Sequence, residues 1–169
     1  MIHIYYGNGK GKTTAACGLA LRACGSGMKV LFAQFFKNGS SSEIKAMSGI
    51  EGIDIMIPSV SHGRFKTMSE EQKKDVSENY HEFLDSVIGK SGEYGLIVLD
   101  EAISAYGYGF IDHEKLQEFL TAEGGVREIV LTGRDPAPEL LGLADYATEM
   151  RKEKHPFDKG IRARKGIEF

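Results

Sequence analysis

The stretch Gly7-Asn8-Gly9-Lys10-Gly11-Lys12-Thr13-Thr14 constrains this chain more than any other. It follows an apolar run containing Ile2, Ile4, Tyr5 and Tyr6, and it leads into a helical pattern from Ala15 to Ala23. A strand, a glycine turn and a helix start together form the context in which such a loop cradles phosphate. Glycines let successive backbone N–H groups point into one hollow, and the helix dipole adds partial positive charge there. Lys12 supplies a point charge for phosphate oxygens, and the Thr13 hydroxyl is a candidate Mg²⁺ ligand. One detail departs from the common spacing. The pattern G-x-x-x-x-G-K-[ST] places its first glycine at position 6, where Tyr6 stands. Counted from Gly7 the loop is one residue short, a first sign that the chemistry is not ordinary hydrolysis of the γ-phosphate.

The second informative stretch is Leu96-Ile97-Val98-Leu99-Asp100-Glu101, an apolar run closed by two acids. In a parallel sheet that pair stands at the carboxyl edge, where ligands bind and where carboxylates hold Mg²⁺ directly or through water. Between and beyond these motifs, strands alternate with helices. The pattern predicts strands at Met1–Tyr6 (the central one), Lys29–Phe36, Ile53–Ile57, Glu128–Leu131 and Tyr146–Met150. It predicts helices at Thr13–Ala23, Glu43–Met47, Ser69–Ile88, Asp112–Ala122 and Pro138–Leu143. The long one carries Gln72 at the capping-box position after Ser69, and its apolar stripe is Val76, Tyr80, Phe83, Leu84 and Val87. Ser59–Thr67 reads as a loop, and the tail from Lys152 to Phe169 is basic and punctuated by glycine. This order implies an α/β fold: a single three-layer P-loop NTPase-like (RecA-like) domain over residues 1–169, with a mostly parallel central sheet.

Composition narrows the function classes. A chain of 169 residues with 41% hydrophobic content carries an adequate single core. A net charge of −3 gives no general pull toward nucleic acid or an anionic membrane. No apolar run approaches the roughly 20 residues of a membrane span, and the N-terminus does not read as a signal peptide. Cys17 and Cys24 lie seven residues apart on one helix, about 10 Å along its axis, too far for a disulfide. They read as small core residues of a protein in the reducing cytoplasm.

With these pieces in place the sequence resembles the ATP:corrinoid adenosyltransferases of the cob(I)yrinic acid a,c-diamide type. The matching stretches are GNGKGKTTAA (7–16), LALRACGSGMKV (19–30), QFFK (34–37), VLDE (98–101), VLTGR (130–134), LADYATEM (143–150) and KHPFDKGIRARKGIEF (154–169). The short loop is itself a trait of that family. The resemblance implies transfer of the 5′-deoxyadenosyl group of ATP to Co(I) of a corrinoid with release of triphosphate, ATP lying reversed so that C5′ is exposed. It implies that Gly7 to Thr14 hold the triphosphate and that Thr13 and Glu101, with Asp100 nearby, hold Mg²⁺. Lys12, Thr13, Glu101 and Arg134 are then the catalytic set.

The resemblance also places Arg22, Lys37, Phe65 and Lys154 among the ligand-binding residues, with His155 and Lys159 lining the site. Arg22 reads equally as a solvated helix residue, and the tail cations as a solvated basic face. Relatives carry a Gly-Phe-Thr-Trp-like segment that packs on the corrin. Here the comparable segment is His62–Met68, the chain contains no Trp, and Phe65 is the substitute. An N-terminal extension that covers the corrinoid in many relatives has no counterpart before Met1, so a partner subunit or the His62–Met68 loop would supply the cover. A homodimer and an electron-donor flavoprotein complete the implied partners. Two other readings use the same loop: a small-molecule kinase or NTPase, in which Glu101 serves as base or orients water, and a nucleotide-switched binding module. The phosphate product separates them: triphosphate, ADP, or unchanged ATP.

Overall fold

The computed structural model describes residues 1–60, 62 and 65–168; Ser61, Gly63 and Arg64 of the expected corrinoid-facing loop lie outside them, as does Phe169. Six strands, β1 (Ile2–Tyr6), β2 (Val30–Gln34), β3 (Ile53–Met56), β4 (Leu96–Asp100), β5 (Glu128–Thr132) and β6 (Tyr146–Glu149), form one sheet in the order β3-β2-β4-β5-β1-β6. Every pairing is parallel. β1 is therefore not the central strand that its apolar run suggested. It is interior but next to the edge, because β6 pairs on its outer side. β5 also separates β1 from the carboxylate strand β4, an arrangement decided by long-range pairing that no local pattern encodes.

Alternation along the strands splits the core in two, as the period of two requires. Ile2, Ile4, Leu31, Ala33, Ile97, Leu99, Ile129 and Leu131 face one side, where helices α3 (Glu70–Lys90), α4 (Ala102–Gly107), α5 (His113–Glu123) and α6 (Pro138–Leu143) pack. Val30, Phe32, Leu96, Val98 and Val130 face the other, under α1 (Lys12–Gly25) and α2 (Ser42–Met47). The result is three layers, with the buried runs of β2 and β4 explained by cover on both faces.

The long helix forms as its sequence dictates. Ser69 accepts from the Gln72 backbone N–H while the Gln72 side chain accepts from Ser69, a complete capping box. Its buried residues are the expected stripe, Val76, Tyr80, Phe83, Leu84 and Val87. α4 was not foreseen. Its six residues directly follow β4, too short a segment for helical periodicity to emerge.

The sheet matters to function because all six carboxyl ends share one edge. Tyr6, Gln34, Asp100, Thr132 and Glu149 end their strands there. Leu84 lies fully buried in the larger core, whereas Val126 is 73% exposed. Leu84→Ala is expected to cost about 2–5 kcal/mol of stability and Val126→Ala less than about 0.5 kcal/mol, as read from urea denaturation midpoints.

Candidate active site

A cavity of about 550 Å³ opens at this edge. Asn8, Gly9, Lys10, Gly11, Lys12, Thr13 and Thr14 line it together with Lys37, Glu101 and Arg134. Residues far apart in the chain, at the ends of β1, β2, β4 and β5, thus converge on one hollow. The loop turns into α1 at Gly11, whose φ of 115° is accessible to glycine and costly for other residues. Its two flanks are tied to neighbouring chain: Gly7 N–H donates to the Arg134 carbonyl at 2.9 Å, and Gly9 N–H to the Met150 carbonyl at 2.6 Å. A Cβ on Gly9 would stand 2.4 Å from that Met150 oxygen and 2.9 Å from the Arg151 carbonyl carbon. Gly9 is required by this close backbone approach.

The cations are distributed along the hollow. Lys12 Nζ donates to the carbonyls of Gly7 and Gly9 at 2.8 and 2.9 Å, curled over its own loop. Burial holds its ammonium below the ordinary lysine range, against the pull of Glu101 and with the push of Arg134. Lys37 stands 3.5 Å from Glu43 and 3.6 Å from Asp100. Burial pulls its pKa down, but Asp100, Glu43 and Glu101 together outweigh that and leave it raised. It stays firmly cationic.

Asp100 is fully buried behind the cavity wall. Its Oδ1 accepts from the Thr13 hydroxyl at 2.9 Å and the Thr132 hydroxyl at 2.6 Å, and its Oδ2 from the Gln34 amide at 2.9 Å. The Thr13 proton is thus committed, which leaves the lone pairs of Thr13 Oγ1 for a cation. Glu101 reaches the cavity from a left-handed backbone, φ 61°. Ser104 Oγ donates to its Oε2 at 2.7 Å. Thr13 Oγ1 and the Glu101 carboxylate are hard oxygen donors, and Gln34 Oε1, buried beside Asp100, has no hydrogen-bond partner among the described residues. Among the described residues no group of three or more His, Cys, Asp or Glu could hold a metal unaided. That donor set suits Mg²⁺, which is normally held by one or two carboxylates together with substrate phosphates.

Several expected ligand residues fall elsewhere. Arg22 is exposed on α1, and Lys154 and Lys159 are exposed on the tail; none lines the cavity. His155 does line it, beside Gly166, Ile167 and Glu168 of the returning tail. Its Nδ1 accepts from the Phe157 N–H at 3.1 Å. Arg164 donates to Glu168 through its backbone N–H and guanidinium and holds that carboxyl at about 2. Phe65 is outside the cavity lining. It stacks on Tyr108 with centroids 4.1 Å apart and planes 2° from parallel, and meets Phe110 edge-on at 5.5 Å. Phe36, the residue before Lys37, meets Tyr108 edge-on at 5.9 Å, so this aromatic group adjoins the cavity through the end of β2.

Ser42 and Glu43 line the cavity without being site candidates in the sequence, and Cys17, which the sequence placed in the core, lines it too. Cys17 lies four residues after Thr13 on the same helix face, a spacing that would have revealed it. Burial first, then Asp100 and Glu43, push its thiol up to about 12, so it is inert as a nucleophile. Cys24 is likewise a free thiol.

Gly9→Ala is expected to weaken ATP binding at least about tenfold, as the loop must shift to relieve the clash. Gly18→Ala is the control: nothing lies within 4 Å of its added Cβ in α1. It should leave affinity unchanged and raise stability by up to about 1 kcal/mol. Titration calorimetry and thermal unfolding read both.

Comparison with known proteins completes the assignment. The family model for the ATP:corrinoid adenosyltransferase BtuR/CobO/CobP matches residues 1–169. A corrinoid adenosyltransferase of Pseudomonas aeruginosa is 31% identical over 167 residues, which cover 98% of this chain and 82% of that protein. The Escherichia coli K12 enzyme of the same name is 29% identical over 169 residues, 100% of this chain and 85% of its own. Corrinoid adenosyltransferase CobA of Salmonella typhimurium is also 29% identical, over 176 residues with the same coverage. The ORC2 protein of Aeropyrum pernix, solved in ADPNP–ADP complexes, overlaps 89% of this chain and 41% of its own at 16% identity. Its TM-score of 0.47 is too low to add to the assignment. The chain belongs to the ATP:corrinoid adenosyltransferase BtuR/CobO/CobP family.

Proposed function

We propose that this protein transfers the 5′-deoxyadenosyl group of ATP to Co(I) of a corrinoid and releases inorganic triphosphate. The observation that carries the proposal is the cavity itself. In a chain of this family, the loop Asn8–Thr14, Lys12, Lys37 and Arg134 surround one hollow large enough for a nucleotide. The nucleophile is the cobalt electron pair, which attacks C5′. The C5′–O5′ bond breaks, and triphosphate departs with its electrons and the 5′ oxygen. The chain's part is to hold the nucleotide and stabilise the charge that grows on the leaving group. Backbone N–H groups of the loop and the Lys12 ammonium do so as preorganised electrostatics. No proton moves, so neither His155 nor Glu101 is needed as an acid or base.

Thr13 Oγ1 and the Glu101 carboxylate are the protein oxygens that would hold Mg²⁺ on the triphosphate, with Asp100 orienting Thr13 from behind. Bound there, Mg²⁺ supplies further charge neutralisation for the departing triphosphate. Phe65 and the 46%-exposed Tyr108 form the aromatic surface beside the nucleotide cavity against which the corrin would pack. Such packing supplies a large apolar contact in a chain that has no Trp. A cytoplasmic setting, where a flavoprotein supplies the electron and the enzyme acts as a homodimer, completes this reading. No helix among the described residues is long and apolar enough to cross a membrane.

Anaerobic incubation with ATP, Mg²⁺ and chemically reduced cob(I)alamin tests the proposal. Loss of the Co(I) absorbance with stoichiometric triphosphate is expected; ADP with the cobalt unalkylated would replace it with the kinase or NTPase reading. Lys12→Ala should fold normally and lose at least about 100-fold in kcat.

A further inference from the structure

β5 is the strand inserted between the phosphate-loop strand β1 and the carboxylate strand β4. Its last residue, Thr132, is fully buried between the two motifs. A hydroxyl has one proton to give and lone pairs to accept with. Thr132 uses both functions on consecutive residues of the other strand's end: it donates to Asp100 Oδ1 at 2.6 Å and accepts the Glu101 backbone N–H at 2.9 Å. The first bond shares an oxygen with the Thr13 hydroxyl, 2.9 Å from Asp100 Oδ1. The second pins the turn at which Glu101 adopts its φ of 61°, a conformation that non-glycine residues keep only when the surroundings over-determine it. Packing alone does not ask for threonine here, since valine has nearly the same shape and the preceding β5 residues Ile129, Val130 and Leu131 are all apolar.

We infer that Thr132 is a positioning residue for the cation of the bound nucleotide. Its one hydroxyl fixes the carboxylate that orients Thr13 Oγ1, and it fixes the backbone turn that presents the Glu101 carboxylate to the same cavity. The inference rests on the Mg²⁺–ATP reading of the site given above. Outer residues of this kind typically change metal affinity or activity by about 10–100-fold when lost.

The test compares Thr132→Val, which removes the hydroxyl at nearly constant volume, with Thr132→Ser, which keeps it. ATP affinity is measured by titration calorimetry with Mg²⁺ and again in EDTA, alongside thermal unfolding. Mg²⁺ should tighten ATP binding to the wild-type protein. In Thr132→Val that tightening should shrink about tenfold or more, with the affinity in EDTA unchanged, and Thr132→Ser should restore most of it. Thr132→Ala, which leaves space for water, is read the same way if the valine variant does not fold. An undiminished Mg²⁺ effect in the hydroxyl-free variant overturns the inference, whatever happens to its melting temperature. No Mg²⁺ effect in the wild-type protein would instead sink the Mg²⁺–ATP reading, and the role of Thr132 with it.

Discussion

The buried carboxylate of Asp100 is the interaction on which the site depends. An isolated carboxylate without solvent is prohibitively costly, so its position demands donors. They come from three other segments: Thr13 at the start of α1, Gln34 at the end of β2 and Thr132 at the end of β5. Lys37 adds a cation at 3.6 Å. Gln34 and Thr132 are placed by their own strands and Thr13 by the first turn of α1, and the bonds form because parallel pairing brings the strand ends and that helix start to one edge. The buried charge therefore ties the phosphate loop to the sheet. Oδ1 keeps one donor if either threonine bond is lost, whereas among the described residues Oδ2 has only the Gln34 amide and the Lys37 cation to lean on. A buried carboxylate oxygen left short of donors costs more than the bond's net contribution.

That tie also separates roles within the acidic pair. Asp100 faces inward and spends its lone pairs on protein donors, so its influence on a ligand passes through Thr13. Glu101, one residue on, turns outward through a left-handed backbone and reaches the cavity. Two adjacent carboxylates thus acquire different work from a single backbone turn. On the opposite side, the tail after β6 runs along the loop. Met150 N–H donates to the Tyr6 carbonyl at 2.7 Å and Lys152 N–H to Asn8 Oδ1 at 3.0 Å. The absence of a Cβ at Gly7 and at Gly9 lets this backbone approach so closely.

Much of this is legible in the sequence. The strand–loop–helix at the N-terminus, the acid-terminated strand β4 and the capped helix α3 each announce themselves within a few residues, because local periodicity, capping and turn chemistry determine them. What was not legible depends on pairing across the chain. That β5 intervenes between β1 and β4, and that β6 makes β1 a near-edge strand, follows from the strand order alone. Thr132 and Gln34 look like ordinary strand ends until Asp100 is seen between them. Arg22 and Lys154 match a family pattern but are exposed. Arg22 lies nine residues after Thr13, on the opposite face of α1, and an irregular tail has no periodicity from which to read a facing for Lys154.

The central claim is that this arrangement directs cleavage to carbon rather than to phosphorus. In the proposed transfer the cations and N–H donors that line the cavity would stabilise triphosphate leaving as a unit, and no residue is called on to activate water. ATP carrying ¹⁸O at the 5′ bridging position tests this directly, in single turnover with a Co(I) corrinoid and mass analysis of the phosphate product. The account predicts triphosphate that retains the label, with the adenosyl carbon on cobalt. Label left on an adenosine nucleotide, as ADP or AMP, would mean that a phosphoanhydride bond had broken and would contradict it.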